Sequence, residues 1–269
     1  MKPGILHSSF YCFNPIAEPA GFAAWLRERG AAHELGGVVL VAEEGLSAAV
    51  AGRTDAVQAF EAEVLAQSGF AGLHFKHNTC ERRPFSRFKV SLKREIVAFG
   101  IPGVSGRDGT DTHVSPQRFR ELLDDPTTVV LDNRNTFEFK LGRFRGAIDP
   151  GVAHFRDFPA YVEAHRDEWQ GRTVAMYCTG GIRCEKTAAW MQAQGLKVAQ
   201  LDGGILNYFE AFPDDAARDW QGECYVFDKR IAIDAQARET GTTAEAVFTD
   251  PADAWRLARA RRLDPDAED

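Results

Sequence analysis

The segment Met176-Tyr177-Cys178-Thr179-Gly180-Gly181-Ile182-Arg183-Cys184-Glu185-Lys186 constrains this chain more than any other. Thr173 to Tyr177 reads as a buried strand that ends on Cys178. A glycine-bearing loop follows, and Cys184 to Gln194 reads as a helix closed by Gly195. Strand, tight loop and helix in immediate succession build an open parallel sheet, in which ligands gather beyond the carboxyl ends of the strands. The flanking sequence repeats the theme. Ser115-Pro116 opens a helix to about Leu123, and Thr128 to Leu131 is a buried strand ending at Asp132. Val198 to Leu201 is another strand, closed by Asp202-Gly203-Gly204, and Ile205 to Phe212 has helical spacing. This alternation predicts a doubly wound parallel sheet over residues 113–222.

The first 100 residues follow a different rhythm. Ile5 to Phe13 is strand-like. Pro19 to Glu28 places Phe22, Trp25 and Leu26 on one helical face, with Gly30 as the stop. Gly37 to Ala42 and Leu46 to Ala51 read as strands joined by Glu43-Glu44-Gly45. Thr54 to Ala66 reads as a second helix with Val57, Phe60 and Val64 facing inward, and Gly72 to His77 as a fourth strand. The order β-α-β-β-α-β is the split-βαβ, ferredoxin-like arrangement of an α+β domain. Residues 78–112 form a connector with a strand expected at Glu95 to Phe99, after which Gly100, Gly103, Gly106 and Gly109 break regular structure. The expected division is a ferredoxin-like domain with its connector over residues 1–100, a parallel-sheet domain over 113–222 and a C-terminal extension over 223–269. In that extension Trp255 to Leu263 is a short basic helix, and Asp264 to Asp269 is an acidic, frayed end.

Composition narrows the class. Lys plus Arg is 32 against 39 Asp plus Glu, a net charge of -7, which excludes a basic nucleic-acid coat while leaving room for a local basic patch. No apolar run approaches the length of a membrane span, and the N-terminus does not read as a secretory signal. Cys12, Cys80, Cys178, Cys184 and Cys224 are odd in number and widely spaced. They argue against a disulfide framework and for a reducing cytosol, and no sequence-local zinc spacing occurs. No cofactor motif is evident.

Cys178 has the setting of a reactive sulfur. Thr179, Gly180, Gly181, Ile182 and Arg183 form a loop whose amides turn inward. With the positive end of the following helix and the Arg183 charge, that cradle favours an anion and so a thiolate. The bland alternative is a small buried core residue. Cys184 either packs in the first helical turn, the preferred reading, or resolves an oxidised Cys178. Four residues separate Cys178 from Arg183, one fewer than in the phosphate cradle of cysteine phosphatases, which argues against that chemistry.

Cys178-Thr179-Gly180-Gly181-Ile182-Arg183, preceded by Leu131-Asp132-Asn133-Arg134-Asn135 and by Gly142 to Ile148, resembles a rhodanese domain. The longer string Met176 to Lys186, with Leu201 to Leu206, Gly222 to Arg230, Ala42 to Gly45 and Lys89 to Val97, resembles the rhodanese-containing tRNA uridine hydroxylases. These oxygen-dependent enzymes make 5-hydroxyuridine at the wobble position. The resemblance covers roughly residues 5–232. It implies a catalytic, persulfide-forming Cys178, molecular oxygen as co-substrate, a tRNA anticodon loop as partner and a cytoplasmic location. The chain departs from the family in three places. Asp132-Asn133-Arg134 stands for the common Asp-Val-Arg, and Gly45-Leu46-Ser47-Ala48 stands for Gly-Ile-Asn-Gly. No cysteine follows Cys224, so the metal-holding C-terminal segment of many members does not carry over.

Asp132 and Arg134 either orient the cysteine loop or bind substrate, or else form an internal ion pair holding two loops together, while Glu138 reads as a surface or loop-anchoring carboxylate. Arg82, Arg83, Arg87, Lys89, Lys93 and Arg94 crowd the connector, with Phe75, Phe85 and Phe88 interleaved. They are candidate RNA contacts, extended toward the cysteine by Arg143, Arg145 and Lys186; the phenylalanines are expected to stay in the core. The leading expectation is an oxidoreductase that hydroxylates wobble uridine. The alternatives are a sulfurtransferase of the rhodanese type and a noncatalytic RNA-binding module. Oligomeric state is not legible in the sequence.

Overall fold

The computed structural model describes residues 4–107 and 111–263. The N-terminal Met1-Lys2-Pro3, the Gly109 break and the acidic run Asp264 to Asp269 lie outside them. The chain divides into two compact units. One holds the described residues up to Val97, then Phe227–Arg230, then those from Thr243 on. The other holds Ala98–Val226 and Ile231–Thr242. The segment after residue 222 is therefore shared between the units rather than forming a separate extension.

The first unit is an α+β sheet. Its elements are β1 (Ile5–Cys12), α1 (Pro19–Ala32), β2 (Gly36–Ala42), β3 (Gly45–Arg53), α2 (Thr54–Leu65), β4 (Lys76–Cys80) and β5 (Phe88–Leu92). The sheet order is β4-β1-β3-β2-β5. The β-α-β-β-α-β order holds, with two corrections. The fourth strand starts at Lys76 rather than Gly72, because its ladder to β1 pairs Ile5 with Cys80 and Ser9 with Lys76. The connector strand is Phe88–Leu92 rather than Glu95 to Phe99. It runs parallel to β2 with Val38 opposite Lys89, while Ile96 and Phe99 are buried without entering a ladder. Gly30 does not stop α1. It lies inside the helix, at a point where a Cβ would sit 2.2 Å from the Phe88 ring. Phe10, Leu26, Val39, Val41, Leu46, Val50, Val57, Phe60 and Val64 form the core between the helices and one sheet face.

The second unit comprises β6 (His113–Val114), α3 (Pro116–Asp124), β7 (Val129–Asp132), α4 (Thr136–Leu141), β8 (Gly142–Phe144), α5 (Phe158–His165), β9 (Thr173–Tyr177), α6 (Ile182–Ala193), β10 (Lys197–Leu201), α7 (Gly204–Ala211), β11 (Trp220–Gly222), β12 (Cys224–Tyr225) and β13 (Ala232–Ile233). The main sheet is all parallel, in the order β6-β10-β9-β7. Alternation along its strands feeds two cores, which is the meaning of doubly wound. Val130, Ala175, Tyr177 and Leu201 pack with Phe119 of α3 and Tyr208 of α7. Val129, Leu131, Val174 and Met176 pack with Val162 of α5 and Met191 of α6 on the opposite face. The chain closes with α8 (Ala244–Val247) and α9 (Ala254–Leu263), both in the first unit. Among the described residues no helix is long and apolar enough to cross a membrane.

Candidate active site

Cys178 is the first residue past β9, at the carboxyl edge of the parallel sheet. The chain turns there through Gly181, whose φ of 99° favours glycine, and α6 begins at Ile182, two residues earlier than periodicity suggested. The Gly181 amide donates to the Cys178 sulfur at 3.1 Å. A second glycine holds the loop from outside. At Gly204, with φ 69°, a Cβ would lie 2.4 Å from the Cys178 carbonyl oxygen and 2.8 Å from the Gly181 nitrogen. The first amides of α7 complete the clasp, Ile205 donating to the Cys178 carbonyl at 3.0 Å and Leu206 to that of Thr179 at 3.1 Å.

The Cys178 side chain has no solvent exposure, yet Thr179, Gly180 and Ile182 beside it are half-buried. Burial by itself disfavours a thiolate. The Cys184 thiol that donates to Cys178, the Arg183 charge and the amides of Arg183 and Cys184 outweigh it, drawing the Cys178 thiol down to about 5. Cys184 moves the other way. Burial and its donation to Cys178 push its thiol well above the usual range. The two cysteines are thus an unequal pair, one an anion at neutral pH and the other its hydrogen-bond donor. Asn133 steadies the donor, its amide reaching Thr187 Oγ1 at 2.6 Å and Cys184 Sγ at 3.7 Å. Cys224 shows burial prevailing, since its thiol is pushed up to about 12, burial outweighing the Arg134 and Arg183 charges with the help of the Glu138 and Asp132 carboxylates.

Arg183 does not stand open to a ligand. Its guanidinium makes a bidentate pair with Glu138, at 2.7 and 2.8 Å, and contacts Thr179 Oγ1 at 3.3 Å. Against the penalty of burial, Arg183 holds the Glu138 carboxyl below its usual range. Glu138 is fully buried rather than on the surface, and it anchors the loop. Its pairing with Arg183 is the part that sequence reasoning missed. The signal was the capping box Asn135-x-x-Glu138, which fixes Glu138 in the first turn of α4 just past β7, at the same sheet edge as Cys178.

Asp132 and Arg134 form a buried ion pair at 2.6 Å. Tyr177 donates to Asp132 at 2.8 Å, and Arg134 reaches the Gly142 carbonyl at 2.6 Å. Both side chains are inaccessible, and they join the end of β7 to β8.

Three candidate RNA contacts change meaning. Lys186 is fully buried, because it falls on the packed face of α6, and it leaves the RNA-facing set. Arg145 is saturated by Asp219 at 3.0 Å, the Leu123 carbonyl at 2.9 Å and Asp124 at 2.5 Å, which makes it a structural bolt. Arg143 is half-buried over the Phe139 ring at 5.0 Å. Arg82, Arg83, Arg87, Lys89, Lys93 and Arg94 are all exposed. Of the connector rings, Phe85 is buried, and Phe75 and Phe88 pack partly buried against the core. Among the described residues no group of three or more His, Cys, Asp or Glu is placed to hold a metal ion.

A parallel sheet with an ionised cysteine in a glycine-bearing loop at its carboxyl edge defines a rhodanese-type thiol domain. The rhodanese-like domain family matches residues 115–211, and the UPF0176 acylphosphatase like domain family matches residues 5–96. A Deinococcus radiodurans protein named tRNA uridine(34) hydroxylase is 40% identical over 263 residues, covering 97% of this chain and 85% of that one. Proteins of the same name from Synechococcus elongatus and Legionella pneumophila are 44% identical over 229 residues and 39% over 233. They cover 85% and 86% of this chain, and 85% and 91% of their own. The chain belongs to the tRNA uridine(34) hydroxylase family.

Proposed function

We propose that this protein hydroxylates the wobble uridine, position 34 of tRNA, at C5, with Cys178 as the reacting sulfur and molecular oxygen as the oxygen source. The observation that carries the reading is Cys178 in its glycine-bearing loop, with the Gly181 amide 3.1 Å from the sulfur, in a chain 40% identical over 263 residues to a protein named for that reaction. The wobble base suits such a site because anticodon-loop bases can leave the stack and enter a protein pocket. Putting one oxygen atom of O2 into a C–H bond leaves the other to be reduced to water. The reaction therefore needs a two-electron reductant as well, a role a dithiol can fill. The thiolate acts as nucleophile toward the base or as the carrier of an oxidised or persulfidated sulfur. Arg183 and Glu138 hold the loop in shape while it does so. A tRNA-modifying enzyme of this kind works in the cytoplasm.

The test is nucleoside mass spectrometry of tRNA from cells lacking the gene, then re-supplied with wild type or with Cys178→Ser. Wild type should restore 5-hydroxyuridine or its derivatives, and Cys178→Ser should not. If 5-hydroxyuridine is unchanged by deletion in a strain without a redundant pathway, the reading fails. If 2-thiouridine falls instead, the protein is a sulfurtransferase.

A further inference from the structure

The first unit carries a groove of about 470 Å³ on the sheet face that α1 and α2 leave uncovered. Side-chain alternation fixes which residues it receives. Val39, Val41 and Val90 turn into the helix-side core, so Val38 and Leu40 of β2 and Lys89 and Ser91 of edge strand β5 face the other way. Arg87 and Lys93, one step of the same alternation before and after, extend the row. From the C-terminal end of the chain, Arg259 and Arg262 of α9 line the same groove three residues apart on one helical face.

The charge is segregated. In α9, Arg256 is paired with Asp253 at 2.7 Å and Arg261 with Glu245 at 2.9 Å. Arg259 and Arg262 have no ion pair among the described residues, nor do Arg87, Lys89 and Lys93. Among the described residues the groove's single acidic lining residue, Asp228, is already bound by Arg230 at 2.6 and 2.8 Å. Five cations without an ion pair among the described residues thus surround one groove in a chain whose net charge is -7. At its rim Phe227 is 56% exposed, an unusual position for a phenylalanine in a protein that buries most of its rings.

We propose that this groove binds a single-stranded segment of RNA, its phosphates against Arg87, Lys89, Lys93, Arg259 and Arg262 and one unpaired base on the Phe227 ring. The proposal rests on the tRNA reading above and deepens it. Multiple cations along an edge strand match a polyanionic backbone, whereas a lone inorganic anion needs one compact cradle. The exposed ring supplies the sequence-tolerant stacking that single strands use.

The test is tRNA binding by the full-length protein across a salt series, comparing wild type with Lys89→Ala/Arg259→Ala, Phe227→Ala and, as a surface control in the other unit, Lys197→Ala. The double variant should bind about tenfold more weakly and lower the slope of log K against log salt by about 1.5, as for two lost phosphate contacts. Phe227→Ala should lose about tenfold on tRNA and nothing on heparin, a polyanion without bases. Lys197→Ala should match wild type. In turnover, the double variant should raise KM for tRNA and leave kcat at saturating tRNA unchanged. Wild-type affinity and slope in the double variant would overturn the proposal. So would loss of polyglutamate binding with tRNA binding intact, which would make the groove an acidic-peptide site. If wild type makes 5-hydroxyuridine and the groove variants bind normally, the groove assignment falls and the enzymatic reading stands. If no 5-hydroxyuridine forms but the groove variants lose tRNA, the reverse holds.

Discussion

At the scale of the residue, the chemistry depends on an asymmetry between two cysteines six positions apart. Cys178 is held as an anion by a thiol, a guanidinium and main-chain amides, and Cys184 is the thiol that gives up its hydrogen bond. Thiolate ultraviolet absorbance, as the difference between wild type and Cys178→Ser, should titrate with a midpoint near 5, leaving Cys178 ionised at neutral pH. Cys184→Ala removes the hydrogen bond that most favours the thiolate, so the midpoint should move upward and the acid limb of the pH–activity profile should move with it. An unmoved midpoint would make Cys184 mere packing. Glu138→Gln keeps the shape of the side chain but removes the charge paired with Arg183, leaving that guanidinium buried without its counterion. Losing one partner of a buried pair costs roughly 3–5 kcal/mol, to be read as a lowered midpoint in chemical denaturation. The cysteine and its loop were legible from local sequence because the strand, glycines and helix are contiguous. The pairing of Arg183 with Glu138 was not, because 45 residues separate the two and only the fold closes that distance.

At the scale of the element, glycine carries the geometry. Gly204 starts α7 against the back of the cysteine loop, where a Cβ would overlap the Cys178 carbonyl. Gly204→Ala should therefore displace the loop and cut activity at least tenfold, with the Cys178 titration midpoint moved upward as the amides lose their aim. An alanine variant with wild-type turnover would show that the loop tolerates displacement. Elements whose apolar period is unambiguous, such as α2 with Val57, Phe60 and Val64, match the sequence reading closely. The connector does not. Glu95 to Phe99 has the β-branched, aromatic look of a strand, but pairing went to Phe88–Leu92, which carries Lys89 on its outer face. A polar edge strand is weakly marked in sequence, because half of its residues face solvent and it needs a neighbour's ladder to declare itself.

At the scale of the whole molecule, the chain returns to its beginning. Phe227–Arg230 and the residues from Thr243 on belong with the N-terminal sheet. Lys229 donates to the Pro84 carbonyl at 3.1 Å, and Asp228 lies 3.6 Å from His7. His7 is buried, stacks on Phe85, and is lowered to about 4, first by burial and then by the Arg230 charge. A histidine kept neutral in the fold releases its proton more readily there than when unfolded. Its contribution is therefore complete above its ordinary value of 6.5 and is lost as pH falls toward 4. Denaturant titrations of wild type should lose about 3 kcal/mol across that window, and His7→Gln should flatten the loss. Equal pH dependence in both would remove His7 as the cause. The amino-acid sequence by itself determined the two fold classes, the place of the thiol and the family, because those depend on short-range period and on contiguous motifs. Only the tertiary structure decided which charges are spent and which remain. It buried Arg134, Lys186 and Arg183, saturated Arg145, and carried Arg259 and Arg262 to the side of Lys89. Whether a cation meets a carboxylate or water depends on neighbours far away in the chain, and only packing settles that.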